Sequence, residues 1–132
     1  MLLVDDDPGD RELMRRALTD ELNPCDLHMV KDGEEALDYL LRNGRFTGQA
    51  CPTPDLVLLD LNMPRMDGRQ VLERMRSTRD LRAIPVVILT TSDHEEDILR
   101  TYSLGCNSYI AKPASMPAFI EIVRDLSQYW FE

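Results

Sequence analysis

The sequence lacks a surplus of basic residues: 15 lysines and arginines stand against 24 aspartates and glutamates, a net charge of −9. That argues against a nucleic-acid binder, because gripping phosphate backbones needs a Lys/Arg surface that displaces counterions. No apolar run approaches the roughly 20 residues needed to span a bilayer, so no membrane association is expected. Nothing basic precedes the apolar start Met1-Leu2-Leu3-Val4, as a signal peptide would require. Cysteine is scarce: Cys25, Cys51 and Cys106 are scattered and form no CxxC pair. Neither a disulfide framework nor a zinc site is implied, and a reducing cytoplasm is the expected location. His28 and His94 lack metal-ligand spacing. Finally, the first strand–helix turn reads Asp5-Asp6-Asp7-Pro8-Gly9 rather than a glycine-rich loop. It would repel a pyrophosphate, which counts against a nucleotide-binding module.

What is present is the material of one globular domain. The chain has 132 residues, 43% hydrophobic and 30% charged, enough to bury a single core. Short apolar runs alternate with helical patterns. Leu2–Val4 reads as a buried strand, and Asp7 as a cap for a helix with Pro8 in its first turn. Leu13, Met14, Ala17 and Leu18 share one face of that helix, which Asn23-Pro24 ends. Leu27 to Val30 is a second strand and Asp32-Gly33 a turn. Ala36, Leu37, Leu40 and Leu41 form the next helical stripe, closed by Asn43-Gly44. A polar loop follows from Arg45 to Pro54. Leu56–Leu59 and Val86–Leu89 do not alternate, as expected of strands buried on both faces. Val71, Leu72 and Met75 mark a third helix. Ile98, Leu99 and Tyr102 mark a fourth, stopped by Gly105. Tyr109–Ala111 is a last short strand, and Phe119, Ile122, Val123, Leu126 and Trp130 line a final helix. Strand and helix thus repeat five times, which predicts an α/β fold with a parallel sheet covered on both faces.

In such a sheet, ligands bind beyond the carboxyl ends of the strands. Those ends carry Asp5-Asp6-Asp7, Asp60, Thr90-Thr91 and Lys112-Pro113. Carboxylates drawn together repel and raise one another's pKa, so a cation is expected among them. Hard oxygen ligands suit Mg²⁺, or the similar Mn²⁺. Lys112 and a threonine hydroxyl would complete a cradle for a phosphoryl group. Asp60, ending the most central apolar strand, is the candidate nucleophile, since carboxylates can form acyl phosphates. Each residue alone has a plainer reading: turn former, helix cap or solvated charge. Their combination is what points to chemistry.

The series Leu3-Val4-Asp5-Asp6-Asp7, Leu59-Asp60-Leu61-Asn62-Met63-Pro64, Asp67-Gly68, Ile84-Pro85-Val86, Leu89-Thr90 and Tyr109-Ile110-Ala111-Lys112-Pro113 resembles the receiver domain of bacterial response regulators over nearly the whole chain. The resemblance implies a (βα)5 doubly wound, flavodoxin-like sheet with strand order 2-1-3-4-5. It implies one receiver domain over residues 1–132 with no output domain. It also implies phosphorylation of Asp60 by a sensor histidine kinase in a Mg²⁺-dependent reaction. Asp6 would ligate the metal directly, Asp5 partly through water, and Asn62 through its backbone carbonyl. Thr90, with Thr91 beside it, and Lys112 would engage the phosphoryl oxygens. Lys112-Pro113 would be a cis peptide. Tyr109 would be the aromatic whose ring turns inward when Thr90 moves.

Three further features resemble the single-domain regulators that serve phytochrome-type sensor kinases. They are Asp7-Pro8-Gly9-Asp10, the loop 45–54 and the terminal Tyr129-Trp130-Phe131, alongside Thr90-Thr91-Ser92-Asp93. The message would then leave by protein contact. Ile98, Tyr102, Tyr129, Trp130 and Phe131 are candidate interface residues for a symmetric homodimer. Two rivals are weaker. An aspartate-nucleophile phosphohydrolase would want an acid two residues past Asp60, where Asn62 stands. A receiver serving only as a scaffold would not need the complete set of site residues.

Overall fold

The computed structural model describes residues 1–19, 27–44, 47–48, 54–61, 63, 66–90, 95–112, 115, 117–118, 120–122 and 124–125. Its elements are β1 (Leu2–Val4), α1 (Pro8–Thr19), β2 (His28–Val30), α2 (Gly33–Leu41), β3 (Val57–Leu59), α3 (Gly68–Ser77), β4 (Val86–Thr90), α4 (Glu95–Leu104) and β5 (Ser108–Ala111). A 3₁₀ turn at Arg79–Leu81 leads into β4, and helical positions recur between 117 and 125. The strands are parallel and ordered β2-β1-β3-β4-β5. The order reverses beside β1, so the ends of β1 and β3 flank the switch point.

Side chains alternate across a strand, which divides the core in two. Leu2, Val4, Val57, Leu59, Val86 and Ile88 face Ala36, Leu37, Val71, Leu72 and Met75 of α2 and α3. Leu3, Leu58, Val87 and Leu89 face Met14 of α1, with Ile120 and Ile122 of the last helical segment packed alongside. Leu58, inaccessible on the central strand, stabilises the fold by about 2 kcal/mol through burial alone. The side chains of Ala17 and Leu18 lie outside the described residues.

Aspartates start α1, α2 and α3. The Asp7 carboxylate accepts from the Gly9 amide at 2.8 Å. The Asp32 side chain caps α2 by accepting from the Glu35 amide, and Asp67 forms a capping box with Gln70 at α3. The turn at Asp32-Gly33 is therefore a helix start.

Contacts set the end of α2 and the rotation of α4. α2 ends at Leu41; left-handed backbone begins at Arg42, with φ 58°, and recurs at Gly44, with φ 55°. Such a conformation costs a non-glycine residue about 1 kcal/mol; here the Arg42 amide donates to the Asp38 and Tyr39 carbonyls and Asn43 N–H to the Asp38 carbonyl. In α4, Leu99 is 60% exposed and Tyr102 49% exposed. The buried meridian instead runs through Thr101, whose hydroxyl donates to the Asp97 and Ile98 carbonyls. An ion pair between Arg69 at the start of α3 and Asp97 also fixes the rotation of α4. Leu99 and Tyr102 fall outside that phase, and Ile98 is half-buried.

Candidate functional site

Backbone pairing continues past the strand ends and carries the acidic residues into place. Asp5 N–H donates to the Val30 carbonyl, Asp60 N–H to the Val4 carbonyl and Lys112 N–H to the Thr90 carbonyl. Three of the residues expected to form a site thus stand at one sheet edge, on backbone already held by neighbouring strands. Thr90 closes β4, fully buried and in register with Ala111.

Gly68 makes the close packing behind Asp60 possible. A Cβ at this position would lie 2.2 Å from the Asp60 carbonyl oxygen and 2.8 Å from Leu61 Cα. Only a hydrogen fits there, which lets the start of α3 rest on the Asp60–Leu61 backbone, where Gly68 N–H also donates to the Leu61 carbonyl at 2.9 Å.

The side chains converge as follows. Lys112 Nζ lies 2.7 Å from Asp5 Oδ2, 2.8 Å from Asp10 Oδ2 and 3.5 Å from Asp60 Oδ2. Asp5 Oδ1 accepts from the Asp7 amide at 2.9 Å, and Arg11 Nη1 donates to the Asp5 carbonyl oxygen at 2.6 Å. Asp5 is 1% exposed and Asp60 8%, whereas Asp6 is exposed. Carboxylate oxygens of Asp5, Asp6 and Asp60 all lie within 4.8 Å of one another. Such a close set of hard oxygen donors, opening to solvent through Asp6, fits a small divalent cation that keeps several waters.

Burial first of all pushes the Asp5 carboxyl up to about 6; its hydrogen bonds from Lys112 and the Asp7 amide oppose the rise, and the Asp60 charge adds only the smallest contribution. The elevation is present at Asp5, where desolvation rather than mutual repulsion leads it. For Lys112, burial works against the charge. Its hydrogen bonds to Asp10 and Asp5 and the charge of Asp60 more than reverse that, so the ammonium is held above its usual value.

Of the expected site residues, the structure brings Asp5, Asp6, Asp60 and Lys112 together, with Thr90 on the same edge. Tyr109 is half-buried and packs against the α2–α3 side of the core. Asn62, Thr91, Tyr129, Trp130 and Phe131 lie outside the described residues, as does Pro113 and with it the Lys112–Pro113 peptide. Asp10 is the residue the sequence did not single out for the site. Its place in the first turn of α1 is legible, but nothing local tells that this turn faces Lys112, 102 positions away. Among the described residues, no helix is long and apolar enough to cross a membrane.

Known proteins resemble this chain in sequence and fold. The sequence profile of the family described as "Response regulator receiver domain" matches residues 1–124. The response regulator Rcp1 of Synechocystis sp. is 36% identical over 132 residues, covering all of this chain and 88% of its own length. A crystal structure of the phosphorylated cyanobacterial phytochrome response regulator RcpA superposes with a TM-score of 0.92 at 40% identity, covering 99% of this chain and 92% of that one. The Mn²⁺-bound form of Rcp1 superposes with a TM-score of 0.89 at 36% identity, covering 99% and 93%.

Proposed function

The chain belongs to the response regulator receiver domain family, and we propose that it is a switch that takes a phosphoryl group from a sensor histidine kinase onto Asp60. The observation that carries this reading is the meeting of Asp60 with two further carboxylates on one side and the buried Lys112 ammonium on the other. Asp5, Asp6 and Asp60, with the Asn62 backbone carbonyl, would hold Mg²⁺ or Mn²⁺; the Mn²⁺-bound form of Rcp1 supports the same choice. When bound, the cation supplies positive charge against the phosphoryl oxygens.

An Asp60 carboxylate oxygen attacks the phosphorus of a phosphohistidine in line, the P–N bond breaks, and the imidazole leaves. Lys112 needs only a short movement from its 3.5 Å separation to meet a phosphoryl oxygen. Thr90, with Thr91 next to it, offers a hydroxyl to another. As Thr90 moves, Tyr109 follows, and the face built from α4, β5 and the last helical segment repacks. A few kcal/mol of bias suffices for such a two-state element. The protein is a phosphoacceptor rather than a turnover enzyme, and its own hydrolysis of the acyl phosphate is slow.

Relatives that are phytochrome response regulators support a phytochrome-type kinase as the donor. Residues 1–132 act as one receiver whose message leaves by protein contact in a reducing cytoplasm. The exposed Leu99 and Tyr102 support α4 as part of a homodimer surface, to which Ile98, Tyr129, Trp130 and Phe131 would contribute. Labelling with a radioactive small-molecule phosphodonor and Mg²⁺ tests the centre of this reading. Asp60→Asn is expected to abolish an acid-stable, base-labile label; labelling equal to the parent would remove Asp60 as acceptor.

A further inference from the structure

Lys112 is held by two carboxylates of different standing. Asp5 belongs to the set that fits a divalent cation, whereas Asp10, on the first turn of α1, does not. Both are at full hydrogen-bond distance, 2.7 and 2.8 Å, while Asp60 stands back at 3.5 Å. A cation among Asp5, Asp6 and Asp60 would draw charge from Asp5 and repel the nearby ammonium. Lys112 would then lose its shorter bond just when it is needed beside the phosphoryl group. Asp10 would keep its carboxylate for the lysine.

We propose that Asp10 is a positioning residue: it retains the Lys112 ammonium beside Asp60 when a divalent cation engages Asp5, and so sets how tightly the site takes a phosphoryl group. The proposal rests on the receiver reading above and adds to it a residue outside the metal and phosphoryl contacts. Its location suits the task. The Lys112 side chain is 7% exposed and that of Asp10 is 27% exposed, so the attraction is less screened than on the surface and losing one partner leaves the other charge poorly solvated. Asp10 also sits on a helix whose start is fixed by the Asp7 cap and by Arg11 reaching the Asp5 carbonyl. The carboxylate therefore approaches Lys112 from a rigid element. A bystander carboxylate would act in the opposite sense, because its negative charge simply repels an incoming phosphoryl group.

Beryllofluoride, a phosphoryl mimic, provides the test when titrated calorimetrically in the presence of Mg²⁺. Asp10→Asn is expected to weaken its binding about tenfold, Asp10→Glu to restore most of the loss, and Mg²⁺ binding alone to change less than threefold. In a Lys112→Ala background the effect of Asp10→Asn should vanish or reverse, since only repulsion is left to relieve. Unchanged or tighter binding in Asp10→Asn, or the same weakening without Lys112, would overturn the proposal. A second measurement uses the unmodified protein: the ¹⁵N signal of the Lys112 ammonium should stay protected from exchange when Mg²⁺ is added, and its loss to rapid exchange would also overturn it. If the unmodified protein bound no beryllofluoride with Mg²⁺, the receiver reading itself would fall. Indifference of Asp10→Asn in a protein that does bind it counts against Asp10 alone.

Discussion

The ammonium of Lys112, at the end of β5, lies 2.7 Å from the carboxylate of Asp5, at the end of β1, across 107 positions of sequence. Both side chains are almost completely shielded from water. Neither charge would be tolerable there alone, since an unpaired buried ion costs several kcal/mol. The edge is thus held in part by an ion pair between residues that are themselves candidates for the chemistry, which couples stability to function there.

Removing the lysine exposes that coupling. Lys112→Met leaves Asp5 and Asp60 facing each other without their cation, and is expected to cost about 3 kcal/mol at pH 8. The loss should shrink at pH 5, where Asp5 can take a proton. Urea unfolding in chelator at the two pH values checks this; an equal loss at both would make the lysine a packing element only.

Asp5 gives the metal-free protein a pH dependence of definite sign. Its folded value of about 6 lies above the ordinary 3.8, so folding favours the protonated form. The stabilising contribution is full below about 3.8 and is lost as the pH rises through about 6, a change of about 3 kcal/mol. Thermal melts in chelator should show Asp5→Asn gaining on the parent over that window. Added Mg²⁺ should stabilise the parent above pH 6 and do little for the variant. A gap between the two proteins that ignores pH would contradict the assignment.

Gly68→Ala is expected to destabilise the domain by about 3 kcal/mol, because the new methyl group meets the Asp60 carbonyl oxygen and Leu61 Cα. The displaced Asp60 backbone should also slow phosphoryl acceptance. Denaturant unfolding and phosphodonor labelling on the same preparation would show it, and full stability would mean that α3 can move aside freely.

The proposed homodimer predicts association in sedimentation velocity at high protein concentration, strengthened by beryllofluoride with Mg²⁺. Leu99→Glu should weaken it tenfold or more, because Leu99 is 60% exposed on α4 and a carboxylate would have to be buried with it. A monomer under every condition would remove the dimer from the reading.

Much of this is legible in the sequence alone. Short unbroken apolar runs rich in β-branched residues, such as Val86–Leu89, read as strands covered on both faces, and the runs between them are helical by period, so sheet type followed. The strand-end rule then pointed to Asp5, Asp6, Asp60, Thr90 and Lys112. The period was less informative where one side of a helix faces solvent. Ile98, Leu99 and Tyr102 mark α4 in sequence without saying which of them is buried; Thr101 and the Arg69–Asp97 pair set the rotation that exposes Leu99 and Tyr102 and half-buries Ile98. Likewise the close approach of Gly68 to Asp60 has no local signature, since it depends on α3 and β3 meeting across a loop.

The sequence by itself determined the alternation of strand and helix, the acidic character of the sheet edge and the residue types available there, because periodicity and charge are properties of neighbouring residues. Only the tertiary structure decided that Asp10 joins Asp5 around Lys112, and that burial rather than repulsion lifts the Asp5 carboxyl. Distances between remote side chains and the water excluded from them come into being only when the sheet and its helices close on one another.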